Sequence, residues 1–200
     1  MFITNSYLGM TKGQHRCLFF LLLEDYIDAQ TEFMRVLEPS LERFARNLRD
    51  AGALVRPFQG DIERTRQEVL DKSWSAEELV EIRKTPSLLM MNEDFDTCEP
   101  RLHPWIQLNF GQKLDSDMPR LGVIRFGEML GQLAEAVLDS DEDIFQTAHG
   151  LVHEVRHSDA AKVFEAKPGM FGFSIDLVQG AELVARLYER LRGSRAKEGS

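Results

Sequence analysis

The uninterrupted run Cys17-Leu18-Phe19-Phe20-Leu21-Leu22-Leu23 constrains the fold more than any other feature of the chain. It offers no polar side chain to water and stops abruptly at Glu24-Asp25. A short apolar run without alternation is how a strand buried on both faces reads, and such strands belong to sheets covered by helices on each side. The expected class is therefore α/β, with a mixed central sheet flanked by helices.

The pattern changes to a helical period from Asp25 to Arg49, where Ile27, Phe33, Met34, Leu37, Leu41, Phe44, Ala45 and Leu48 form a core-facing stripe. Pro39 is expected to start a second helix or to kink the first, because it lacks the amide proton that a helix interior uses. Ala51-Gly52 ends the helix, and Ala53 to Phe58 reads as a second strand. Asp61 is placed to cap a helix through Lys72, and Ser75 with Glu78 spells a capping box for another helix to Arg83. Thr85-Pro86 precedes the apolar strand Ser87-Leu88-Leu89-Met90-Met91. After an acidic, proline-bearing loop, Trp105 to Phe110 alternates and predicts a half-buried strand. Leu121 to Leu138 is helical, a second helix runs from about Asp141 to Phe164, Met170 to Leu177 suits a strand, and Ala181 to Leu191 is a final amphipathic helix. Residues 1 to 138 are expected to form the α/β unit behind a loose arm at 1 to 12, with Met10 as an alternative start. Residues 139 to 200 form a mainly helical extension on the same core, with a polar tail from 193.

Between 18 and 138 the elements spell β-α-β-α-β-β-α. This order, together with Thr85-Pro86 just before the third strand, resembles the thioredoxin-like fold, which carries a proline, usually cis, at that place. Redox members of that family carry CxxC at the start of the first helix, where this chain has Glu24-Asp25-Tyr26-Ile27. The resemblance therefore implies a non-redox version.

The formal charge of −9 argues against a nonspecific nucleic-acid binder, which needs a basic face to neutralise phosphates. Cys17 and Cys98 are the only cysteines and form no CxxC, so a reducing cytoplasm is the simplest expectation. The longest apolar run is far too short to span a bilayer and has no small-residue cleavage site behind it, so neither a membrane segment nor a signal peptide is expected.

His153-Glu154-Val155-Arg156-His157 resembles the HExxH of zincin metallopeptidases. On a helix the two histidines stand one turn apart and are able to share a zinc ion, with Glu154 as general base on its water. Glu182 is the best-placed third ligand, with Glu165 and Asp176 as fallbacks. The motif departs from zincins in carrying Arg156 between the ligands and in having no later histidine. On a helical wheel these histidines, with His149, lie opposite the apolar stripe, which also describes a wet helix face.

Two other places carry chemistry. Glu24, with Asp25, follows the first strand, and Asp94 and Asp96 follow the third, a pattern that resembles the Mg2+-binding acids of the Toprim fold. The loop holding Asp94, Asp96, Arg101, His103 and Trp105 is also a candidate interaction surface. The expectation is a non-catalytic interaction or regulatory module that needs no cofactor and binds a protein partner or a second copy of itself, as a homodimer for instance. The alternatives are a zinc peptidase using His153, Glu154 and His157, or Mg2+-dependent phosphoryl transfer or nuclease chemistry at Glu24, Asp94 and Asp96.

Overall fold

The computed structural model describes residues 3–4, 15–24, 28–91, 95–109, 120–139, 143–148, 150, 167–168, 172–176 and 184–192. Its strands are β1 (Ile3–Thr4), β2 (Cys17–Leu22), β3 (Gly52–Val55), β4 (Ser87–Met91), β5 (Trp105–Asn109), β6 (Lys167–Pro168) and β7 (Gly172–Asp176). The helices are α1 (Asp28–Leu48), α2 (Ile62–Leu70), α3 (Ala76–Ile82) and α4 (Arg120–Asp139), with further helical residues at 144–148 and 184–192.

The sheet runs β1-β3-β2-β4-β5-β7-β6. At its centre β3 and β2 are parallel, β2 and β4 antiparallel, and β4 and β5 antiparallel. This is the mixed sheet of an α/β protein. The Thr85–Pro86 peptide ahead of β4 is cis. The order β2-α1-β3-α2-α3-β4-β5-α4 contains both helices expected between the second strand and β4, α2 and the capping-box helix α3.

Alternation along β2 sends its side chains into two separate cores. Phe19, Leu21 and Leu23 join Leu37, Leu41, Phe44 and Leu48 of α1, together with Leu130, Leu133 and Val137 of α4. Phe19 meets Phe44 edge-on, with ring centroids 4.8 Å apart. Leu18, Phe20 and Leu22 point the other way, toward Val69, Trp74, Ile82, Phe95 and Trp105. Burying a side chain of this size stabilises by roughly 1.5–3 kcal/mol, so the run at 17–23 contributes to both layers at once. Ile144, Phe145, Ala148, Val184, Leu187 and Leu191 belong to the core of α1 and α4.

Local rules account for several boundaries. Ser75 accepts from the Glu78 amide at 3.2 Å, and Glu78 returns a carboxylate to the Ser75 amide at 2.8 Å, so the reciprocal capping box forms. Asp61 stands at the N-cap of α2 without a side-chain cap bond and instead faces Arg64 at 3.7 Å. At Gly52 an added Cβ would lie 3.2 Å from Leu48 and 3.3 Å from the Cys17 carbonyl, which is why the helix-to-β3 turn uses glycine there.

Three expectations are corrected. Pro39 does not start a second helix, the first of the two outcomes expected for it, since α1 is continuous from Asp28 to Leu48. Pro39 and Arg35 are both exposed, so the amide proton that proline lacks is missing on the solvent side of the helix. The arm at 1–12 is not wholly loose. Ile3 and Thr4 add a parallel edge to β3, and Thr4 accepts from the Arg56 amide at 2.8 Å, satisfying backbone groups that β3 would otherwise present to water. Strand β5 is buried on both faces, not half-buried, because it pairs with β4 on one side and β7 on the other and the layer around Trp74 covers its second face. The strand expected at Met170 to Leu177 forms as β7, parallel to β5 in the register Trp105↔Gly172 to Asn109↔Asp176.

Candidate functional site

Residues 95–104 hold two prolines and five charged or polar residues, a composition that suits turns over regular structure. Here they form a strap whose inner side is apolar and whose outer side is polar except at Leu102. Phe95, Cys98 and Pro100 are buried, whereas Asp96, Thr97, Glu99, Arg101 and Leu102 are exposed. Phe95 packs on Phe20 with ring centroids 4.7 Å apart. Trp105, at the end of the strap, meets Trp74 edge-on at 5.3 Å. The Trp74 indole N–H donates to the Val69 carbonyl at 2.7 Å, which ties this aromatic pair to the end of α2.

Two cations fasten the strap from outside. Lys72 donates to the Phe95 carbonyl, and its ammonium stands 4.2 Å from the centre of the Phe95 ring. Arg101 donates to the Trp74 carbonyl at 3.1 Å. Within the strap, the Leu102 and His103 amides donate to the Glu99 carbonyl at 2.8 and 2.9 Å, and His103 Nδ1 accepts from the Glu99 amide at 3.0 Å. The result is an ordered turn presenting Leu102, which is 63% exposed, between charged neighbours.

Of the residues expected to form an interaction loop, Asp96, Arg101 and His103 lie on this strap. Trp105 does not serve as a surface anchor, because it is 1% exposed and belongs to the core. Asp94 lies outside the described residues. Sequence reading missed Lys72, Trp74 and Leu102. The only sequence signal for Lys72 and Trp74 is the pair of large residues flanking Ser73 between two helices, and nothing local links them to a loop 23 residues on.

The strand directions count against the Mg2+ reading. Strands β2 and β4 are antiparallel, with Leu22 beside Ser87 and Leu18 beside Met91. Leu22 and Met91, the last residues of β2 and β4, therefore lie at opposite ends of the paired stretch. At about 3.3 Å per residue the paired stretch alone separates them by on the order of 13 Å, whereas two ligand oxygens on one Mg2+ lie within about 4 Å of each other. Glu24 instead faces Arg66 of α2 at 3.6 Å, and Asp96 approaches Lys72 through its carbonyl at 3.5 Å.

On the face of the sheet that carries Trp105, the polar residues Ser87, Gln107 and Asn109 are buried beside the cis-proline turn. Gln107 Nε2 donates to Ser87 Oγ at 2.9 Å and to the Lys84 carbonyl at 3.3 Å, so one carboxamide braces both sides of Thr85-Pro86.

His153, Glu154, His157, Glu182 and Glu165 lie outside the described residues. The backbone of Asp176 is in β7 opposite Asn109. Among the described residues no group of three or more His, Cys, Asp or Glu side chains is arranged to hold a metal ion. Cys17 and Cys98 are both buried thiols. Burial pushes Cys17 from 9.0 up to about 12, with Asp143 adding to the rise and Arg16 opposing it, so this sulfur stays protonated at neutral pH. No described helix is long and apolar enough to cross a membrane. No protein-family model, characterised protein or solved structure matches the chain.

Proposed function

We propose that the chain is a non-catalytic α/β interaction or regulatory module whose contact surface is the strap at 95–104. The observation that carries this reading is Leu102, a large apolar side chain 63% exposed on a loop that two cations and an aromatic pair hold in place. A pre-ordered loop loses little conformational entropy on binding, and an apolar tip within a charged rim suits a protein surface. Asp96, Glu99 and Arg101 supply that rim. The partner is a protein or a second copy of the chain, met in a reducing compartment, and the fold is a thioredoxin-like one without its redox thiols.

Metal content of the purified, folded protein tests the reading. A metal-free folded chain without peptidase activity supports it. Zinc near one per chain, lost in His153→Ala, would overturn it in favour of a zinc peptidase using His153, His157 and Glu154. If the partner is a second copy, sedimentation velocity shows a rise with protein concentration that Leu102→Asp removes.

A further inference from the structure

We draw no further inference here: the strongest candidate, the exposed arginine ridge formed by Arg43, Arg46 and Arg49 at the C-terminal end of α1, is also what a helix end needs to offset its own dipole, and nothing in the structure shows what covers it.

Discussion

Replacing Lys72 by methionine keeps an unbranched side chain of similar reach and removes only the ammonium. The structure gives that ammonium two close contacts, a hydrogen bond to the Phe95 carbonyl and a position 4.2 Å from the Phe95 ring centre, besides the longer 3.5 Å approach to the Asp96 carbonyl. A hydrogen bond from a charged donor is worth about 1.5–3 kcal/mol, and an exposed cation–π contact about 0.5–1 kcal/mol. Lys72 is only partly buried, so water replaces part of both, and a net loss of about 1.5 kcal/mol is the working figure. The loss falls on opening of the strap and not on the whole fold, because Phe95 and Trp105 keep their packing on Phe20 and Trp74. Native-state hydrogen exchange reads this directly. The Leu102 and His103 amides, which donate to the Glu99 carbonyl, are expected to exchange roughly tenfold faster, since 1.4 kcal/mol corresponds to a factor of about ten. Amides of Leu21 in β2 and Leu89 in β4 should keep their wild-type rates. Unchanged protection in the strap, or equal acceleration at Leu21 and Leu89, refutes Lys72 as a local fastener.

The remaining predictions concern stability and reactivity. Arg49 adopts φ 50°, the left-handed region that costs an ordinary residue about 1–2 kcal/mol. Chemical denaturation of Arg49→Gly and Arg49→Ala should therefore rank glycine above alanine by about 1 kcal/mol, the reverse of their order inside a helix, and the usual order would contradict this account. Phe44→Ala removes a side chain 1% exposed and its edge contact with Phe19. A loss of about 3–5 kcal/mol is expected from thermal or urea unfolding, and a loss below about 1 kcal/mol would mean that the α1 layer repacks. Because the Cys17 thiol titrates near 12 when folded and at 9.0 ordinarily, its contribution is complete below pH 9 and is lost as pH rises toward 12. Urea midpoints followed across that window should fall in the wild type more than in Cys17→Ala, and parallel curves would count against the burial argument.

The legibility of this chain differed by element for physical reasons. The run at 17–23 was readable because it sits between two helical layers, and its lack of alternation records both. The Ser75–Glu78 capping box was readable because its partners are three residues apart. Strand β5 misled because Gln107 and Asn109 gave it the alternation of a half-exposed strand. The burial of Gln107 depends on Ser87 and on the Lys84 carbonyl, groups contributed by a different strand and turn. Pro39 left two outcomes open, a new helix or a kinked one, and α1 runs on unbroken through it. The acids after β2 and β4 looked like neighbours in a list of strand ends, yet strand direction decides which ends meet, and direction is not written in either segment. The strap shows the same limit. Its composition revealed a loop, but Lys72 and Arg101 reach across 23 and 27 residues to fasten it.

The aromatic pair under the strap has a consequence for spectroscopy. The chain has two tryptophans, Trp74 and Trp105, and they touch each other. Intrinsic fluorescence excited at the indole band therefore reports a single neighbourhood and is blind to the α1 and α4 layer. Far-ultraviolet circular dichroism is weighted toward helices, including those on the opposite side. If the two signals give the same unfolding curve, the layers melt as one unit, whereas an earlier fluorescence transition would identify the strap side as a separate cooperative block.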